Sequence, residues 1–179
     1  MVAVYERQGG FRTTRIVLPS GDAGTRTTLD IMRAFALEGS RQVEVRDAAI
    51  GIVRMAGVRS HDLIGQLRAL FEFVRDRILF VRDIYGVETI QGPRKTLEVG
   101  AGDCDDRATL LVALARSIGI PAELKFRVIA ANPRFPRSFS HVYVVAVLGG
   151  RSIALDPTYP RNRMGWEKPN PFRIGEVPA

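Results

Sequence analysis

The spacing of apolar residues changes once along this chain, and the change limits the folds that the chain can adopt. Up to Ser117, apolar residues in the main segments recur every three or four positions, the spacing of one face of a helix. After Gly119-Ile120-Pro121, a run that stops a helix, they alternate or run continuously and are rich in Val and Ile. That second pattern is typical of strands. Helices followed by antiparallel strands predict an α+β fold.

Turn and capping residues place the individual elements. Four helices are predicted, at residues 28–37, 41–55, 61–80 and 104–117. Four strands are predicted, at residues 13–18, 122–130, 139–148 and 151–155. Ser40 and Ser60 are the candidate N-caps of the second and third helices. Residues 82–103 are predicted to be a polar loop, and from Pro157 onward the proline-rich chain shows little periodicity.

Length and composition fit one domain without special stabilisation. The chain has 179 residues, 46% of them hydrophobic, which is enough for a sizeable core. We expect a single domain, 1–179, with an N-terminal extension and helices at 1–60, a core at 61–159 and a Pro-rich tail at 160–179. The single cysteine excludes an internal disulfide, and no apolar run approaches the roughly 18 residues of a membrane span. The N-terminus lacks the apolar core of a signal peptide, so a cytoplasmic location is expected.

The net charge of +7 raises the question of a polyanionic partner. Arginines supply most of the positive charge, and they are scattered at helical intervals among acidic residues. No basic block or nucleic-acid motif accompanies them, which favours solvated helix faces. A nucleic-acid partner is therefore disfavoured, although the charge alone does not exclude it.

Cys104 is placed where a nucleophile would be expected. It begins the fourth helix and belongs to an apolar stripe with spacing 4, 3, 4 and 3, so it should face inward. The positive end of the helix dipole favours a thiolate there, and a backbone N–H can receive an oxyanion. Asp103 is the natural N-cap. Asp105 and Asp106 would oppose the thiolate unless their carboxylates point away.

The candidate partners of this thiol, His141 and Asp156, flank a predicted hairpin. If Gly149 and Gly150 form a two-residue turn, paired positions sum to 299, and Asp156 lies opposite Tyr143. His141 and Asp156 then share one face as diagonal neighbours within side-chain reach. An odd-numbered turn would place them on opposite faces. A His–Asp pair could orient one ring nitrogen and leave the other for the thiol.

Other interpretations of the same residues remain. Alone, Cys104 could be a small buried hydrophobe, His141 a satisfied strand histidine and Asp156 part of a turn. Together they favour one site. A metal site of Asp103, Cys104, Asp105 and His141 matches no usual zinc or calcium spacing, so we expect neither a metal nor a cofactor. His61 serves as a control, since it should face solvent.

Several short motifs, in order, resemble the transglutaminase-like superfamily of papain-type thiol enzymes. They are Gly102-Asp103-Cys104 at a helix start, the apolar helix ending in Gly119-Ile120-Pro121-Ala122, His141-Val142-Tyr143-Val144, and Leu155-Asp156-Pro157-Thr158, with Phe80-Val81-Arg82-Asp83 and Thr96-Leu97-Glu98-Val99-Gly100 as the lead-in. The resemblance covers residues 63–159. It implies a papain-like core in which a central Cys-bearing helix packs on a small antiparallel sheet.

The resemblance also implies roles: Cys104 as nucleophile, His141 as base and acid, and Asp156 as the residue that orients the histidine. The expected function is a cysteine peptidase or amidase, or a transglutaminase-type acyltransferase, acting on a protein or peptide. Many members have a Trp in the strand before the Asp, which is missing here. Gln91, Tyr85 and Asp103 are candidates for oxyanion or substrate contacts. A catalytically silent scaffold for binding or assembly, for example in a phage virion, is the alternative.

Overall fold

A computed structural model describes residues 4–8, 11–15, 17–83 and 88–179. The helices of this part of the chain are α1 (Asp22–Gly39), α2 (Val43–Met55), α3 (Leu63–Arg77), α4 (Pro93–Val99) and α5 (Cys104–Ser117). The strands are β1 (Val4–Gln8), β2 (Phe11–Arg15), β3 (Leu79–Phe80), β4 (Ala101–Gly102), β5 (Glu123–Ala130), β6 (His141–Leu148), β7 (Arg151–Leu155) and β8 (Arg173–Pro178). The mixed helix-and-sheet architecture confirms the predicted fold class.

Helix α5 is the centre of the molecule. Residues 105–115 of this helix are all buried, and α1, α2, α3 and α4 pack around it while β6 packs on its remaining side. Leu110, Leu111 and Leu114 are among the largest fully buried side chains of the core. Burying each such leucine contributes about 1.5–3 kcal/mol, so the helix that carries Cys104 is firmly anchored. The prediction of a central, buried cysteine helix is confirmed.

The sheet has the strand order β7-β6-β5-β8, and all its pairs are antiparallel. Three of these strands match the predicted ones closely. Strand β8 lies in the segment predicted to be a tail without periodicity. It pairs with β5 from Arg173 opposite Ala130 to Pro178 opposite Lys125, and the Ala179 N–H donates to the Leu124 carbonyl at 2.8 Å. An edge strand tolerates Pro178, because one side of it needs no ladder donors.

The segment between β7 and β8 contacts the outer face of the sheet. Ile129, Tyr143, Val145 and Ala154 form a small buried cluster on that face. The Tyr143 hydroxyl donates to Glu167 at 2.8 Å, and the Gly165 N–H donates to the Ala154 carbonyl at 2.7 Å. The proline-rich segment is therefore part of the packed structure.

Two predicted caps are wrong. Asp62 caps α3 by accepting from the Gly65 N–H at 2.8 Å, because the helix begins two residues later than Ser60 would require. Helix α2 begins after Gln42 with no side-chain cap, while Ser40 ends α1.

The predicted loop at 82–103 contains two elements. Helix α4 begins with Pro93 at its first position, where a missing N–H costs nothing, and Gly100 ends it in the left-handed conformation at φ 67°. Strand β4 then pairs in parallel with β3. Seven helical residues and two strand residues are too few to produce a periodic pattern, so the sequence signal was missed. No helix within the described ranges is both long enough and apolar enough to cross a membrane.

Candidate active site

Cys104 is fixed at the start of α5 by a reciprocal cap. The Asp103 carboxylate accepts from the backbone N–H groups of Asp105 and Asp106, at 3.0 and 3.4 Å. The Asp106 carboxylate accepts in return from the Asp103 N–H at 3.3 Å. Gly102 approaches this cap so closely that an added Cβ would lie 2.6 Å from the Asp106 Cβ. The prediction that Asp103 is the N-cap is confirmed, and the Gly-Asp-Cys order has a steric reason.

The hairpin brings His141 and Asp156 together as predicted. Gly149 and Gly150 have φ angles of 57° and 76°, which suit the type I′ turn of a two-residue loop. The register pairs Leu148 with Arg151 and continues residue by residue to the pair of Val144 and Leu155, so the numbers of paired residues sum to 299. His141 Nε2 lies 2.9 Å from Asp156 Oδ2. The parity argument is therefore confirmed by both the turn and the contact.

Asp156 is held as a carboxylate. It is 2% exposed, and its second oxygen accepts from the Thr158 N–H at 3.1 Å. Burial raises the pKa of this carboxyl, but the hydrogen bonds with His141 and Thr158 outweigh burial, so its pKa is lowered overall. The Asn162 side chain also donates to the Asp156 carbonyl at 3.1 Å, which fixes the backbone. This carboxylate can therefore orient the imidazole.

Arg107, which the sequence analysis did not single out, ties Asp156 to the cysteine helix. Its guanidinium is 2% exposed and donates to the carbonyls of Pro157 and Thr158, at 2.7 and 2.8 Å. It also donates to the carbonyls of Arg75 and Ile78 at the end of α3. Since Arg107 lies one turn after Cys104, one side chain connects the helix of Cys104 to the segment that follows Asp156. An arginine directly before the apolar part of the helix was the available signal.

Cys104 and His141 line the same cleft, which has a volume of about 380 Å³. The backbone of Val142, the residue after His141, acts on the sulfur in the direction that lowers the pKa of the thiol. His141 Nε2 is occupied by Asp156, so Nδ1 is the ring nitrogen left for the thiol. Helix α1 supplies part of the opposite wall, including Thr25 and Thr28. The residues can thus act as a nucleophile, a proton carrier and an orienting group.

The electrostatics around the thiol differ from the prediction. Burial raises the pKa of Cys104 well above its ordinary value, and the charges of Asp105 and Asp103 raise it further. The thiol donates to Asp105 Oδ1 at 3.5 Å, a contact that stabilises the protonated form. Asp106 does point away, toward Gln91, but Asp105 does not. The expectation that the helix start favours a thiolate is therefore wrong for this geometry.

The neighbouring carboxyls are perturbed in the same direction. Burial, followed by the charge of Asp106, raises the pKa of Asp103 to about 7. Burial, the charge of Asp103 and a hydrogen bond with Glu88 raise the pKa of Asp105 well above its usual range. One carboxylate oxygen each of Asp103 and Asp105 and the sulfur of Cys104 lie within 4.8 Å of one another. Their proximity follows from the cap and from the thiol–carboxylate contact.

Gln91 does not line the cleft. The side-chain amide of Gln91 donates to Ala101 O at 3.2 Å and to Asp106 Oδ2 at 2.8 Å, so both amide hydrogens are used in supporting α5. Tyr85 lies outside the described residues. His61 is exposed, as predicted for the control histidine.

Comparison with known proteins adds the family. The family model described as the transglutaminase-like superfamily matches residues 41–157, which extends the motif comparison to include α2. No curated protein matches the sequence significantly.

Solved structures share the fold. A protein assigned as a protease from Parabacteroides distasonis aligns with a TM-score of 0.54 and 14% identity, over 86% of this chain and 35% of its own. Calcium-bound LapG of Legionella pneumophila aligns with a TM-score of 0.50 and 16% identity, over 80% of both chains. A protein assigned as a cysteine protease from Cytophaga hutchinsonii has a TM-score of 0.49 and 18% identity, over 73% of this chain. This chain spans 42% of the Cytophaga protein, so it matches only part of two of these relatives.

Proposed function

The chain belongs to the transglutaminase-like superfamily, and we propose that it is a thiol-dependent acyl-transfer enzyme that hydrolyses peptide or amide bonds. The observation that carries the proposal is that Cys104 and His141 line one cleft and that His141 Nε2 lies 2.9 Å from Asp156 Oδ2. This is the nucleophile, base and orienting group that thiol catalysis needs.

In the proposed first half-reaction, His141 Nδ1 takes the proton of the Cys104 thiol as the sulfur attacks the substrate carbonyl. The backbone N–H of Cys104, at the first position of α5, donates to the developing oxyanion. The imidazolium then gives its proton to the leaving amine, the C–N bond breaks and a thioester remains. Asp156 stabilises the imidazolium and fixes the ring.

In the second half-reaction, water replaces the amine. His141 removes a proton from the water as the water oxygen attacks the thioester carbonyl. The C–S bond then breaks, the imidazolium of His141 returns the proton to the sulfur, and the carboxylic acid product is released. An amine in place of water would give transglutamination. We favour hydrolysis, because water needs no binding site of its own and is far more concentrated than any amine.

The walls of the cleft narrow the substrate class. Among the described residues that line it there is no Lys or Arg, whereas Glu88, Asp103 and Asp105 are acidic. Leu29, Val128 and other apolar side chains form the rest. The basic surface of the protein therefore does not extend into the cleft, and an uncharged peptide segment suits it better than an acidic one.

The proposal is tested with a peptide and amide library, followed by mass spectrometry of the products. We expect cleavage by the wild-type protein and none by Cys104→Ala, which should keep the same circular dichroism spectrum and thermal midpoint. Cys104→Ser is the matched variant, since a serine hydroxyl keeps the shape but is a much weaker nucleophile. Cleavage by the alanine variant would exclude the mechanism.

A catalytically silent scaffold is the second candidate function, and the raised pKa of Cys104 is the observation that favours it. In that case no library peptide would be cleaved, and an acyl group that an activated ester places on Cys104 would not be released. Acylation of Cys104 followed by release would exclude the silent scaffold even before a natural substrate is found.

A further inference from the structure

The contact between Asp105 and Cys104 is unusual for a site that has to produce a thiolate. A reactive thiol benefits from neighbours that donate hydrogen bonds to it or carry positive charge. Here a carboxylate, that of Asp105, accepts from the thiol at 3.5 Å. Asp105 is 6% exposed, so solvent screens this contact poorly.

The charged and titratable groups around the sulfur come from three elements. Asp103 and Asp105 lie beside it on α5, His141 faces the cleft from β6, and Glu88 reaches Asp105 from the segment before α4. The residues that α1 contributes to the cleft wall are uncharged; they include Thr25 and Thr28. The carboxylates thus outnumber the one group that can take the thiol proton.

Asp105 is not required to hold the helix start. Asp103 and Asp106 form the reciprocal cap, and Asp106 binds Gln91 on the side away from the sulfur. The described contacts of the Asp105 carboxylate are instead with the Cys104 thiol and with Glu88. A buried carboxylate in this position has a consequence for the thiol and none for the cap.

We infer that Asp105 restrains Cys104: its carboxylate holds the thiol proton and opposes the thiolate until the carboxylate moves or is neutralised. Asp105 is a positioning residue in this account, and it regulates the site rather than taking part in the reaction. The inference rests on the proposed function only in treating Cys104 as the reactive group. Its test therefore needs no substrate.

The decisive variant is Asp105→Asn, which keeps the size of the side chain and replaces an acceptor by an amide that can donate to sulfur. Cys104 is the only cysteine, so the ultraviolet absorbance of the thiolate, measured against Cys104→Ser, reports its ionisation directly. We expect the titration midpoint to move to lower pH, with a thiolate fraction about tenfold larger near pH 7. Alkylation by iodoacetamide should be only about threefold faster, because a less basic thiolate is a weaker nucleophile.

Two control variants distinguish loss of the Asp105–Cys104 contact from the loss of any nearby negative charge. Asp106→Asn removes the same charge from the same helical turn, on the side that faces Gln91. Glu88→Gln removes a charge that touches Asp105 and not the sulfur. Because Glu88 raises the pKa of Asp105, its loss leaves Asp105 more fully ionised. Neither variant should lower the midpoint of the thiol.

An unchanged midpoint in Asp105→Asn, or an equal decrease in Glu88→Gln and Asp106→Asn, would overturn the inference. If Asp105→Asn does not fold, Asp105→Ser takes its place in the same titration, since serine is smaller and carries no charge. A midpoint below that of the wild type supports the restraint, and an unchanged midpoint contradicts it. The library experiment is independent, so failure of the restraint and failure of the proposed enzyme are distinguishable.

Discussion

One buried carboxylate contacts each of the two candidate reactive side chains, Asp156 at His141 and Asp105 at Cys104, and the pKa values of the two are shifted in opposite directions. Asp156 is 2% exposed and Asp105 is 6% exposed, so burial is nearly the same for both. The pKa of Asp156 is lowered and that of Asp105 is raised. Asp156 accepts hydrogen bonds from His141 and Thr158, whereas Asp105 has a thiol and other carboxylates around it. The available donors, and not the depth of burial, decide the direction in which each pKa is shifted.

The contrast divides the site into a prepared half, formed by His141 and Asp156, and a restrained half, formed by Cys104 and the carboxyls of Asp103 and Asp105. The His141–Asp156 pair already has the geometry that a proton carrier needs. Cys104 has its position but not its ionisation, because the groups nearest to it favour the protonated thiol. Activity would thus depend on proton transfer within the cleft rather than on a preformed thiolate.

The largest expected effect comes from removing the carboxylate of the prepared half. Asp156→Ala should lower kcat about 10²–10⁴-fold, because His141 loses the group that orients it and stabilises its charge. The readout is kcat and KM for a peptide identified by the library. Asp156→Asn keeps an acceptor for the ring and should recover part of the loss in kcat without a change in KM. An increase in KM with kcat unchanged would assign Asp156 to substrate binding instead.

The next largest effect tests how firmly the prepared half is anchored. Arg107→Met leaves the carbonyls of Pro157 and Thr158 without their donor, so we expect the free energy of unfolding to fall by about 3–5 kcal/mol. Urea denaturation measures it. Arg68→Met is the control, because Arg68 is exposed on α3 and its replacement should change stability by less than about 0.5 kcal/mol. Equal effects would show that Arg107 has no special role.

A smaller effect tests the raised pKa of Asp103 in the restrained half. Burial raises the pKa of Asp103 from its ordinary value of 3.8 to about 7 in the folded protein, so the folded state binds more protons between these values. The contribution of Asp103 to stability therefore decreases as the pH rises from about 4 to about 7. Asp103→Asn keeps an N-cap acceptor and lacks this charge. The full difference corresponds to about 4 kcal/mol, and partial exposure reduces our expectation to about 1–2 kcal/mol.

Urea denaturation of Asp103→Asn and of the wild type at about pH 4 and about pH 8 tests this prediction. The variant should gain stability relative to the wild type as the pH rises. A constant difference across the range would mean that the Asp103 carboxyl ionises normally in the folded protein.

The sequence predicted the parts of the site that depend on local rules. Gly149-Gly150 determines a two-residue turn, the turn fixes the register, and the register puts His141 and Asp156 on one face. Likewise, Asp103 before an apolar helix predicted the cap at Cys104. These features need only spacing and backbone conformation.

The features that were missed depend on distant partners. The orientation of Asp105 is set by Cys104 and Glu88 in a folded cleft, and a list of residues does not reveal which of three adjacent aspartates faces the sulfur. Arg107 has acceptors on α3 and after β7, far away in the sequence. Strand β8 forms because β5 offers it an open edge, in spite of its weak periodicity.

The most direct test of the site as a whole uses an activated aryl ester such as p-nitrophenyl acetate. Such an ester needs no protonation of its leaving group, so it can separate acylation of Cys104 from the release step. Intact-mass analysis follows the acetyl group, and absorbance follows the released phenol. We expect turnover by the wild type, a much slower acetylation of Cys104 that is not followed by release in His141→Ala, and no acetylation at this site in Cys104→Ala. Turnover by His141→Ala at the wild-type rate would contradict the account.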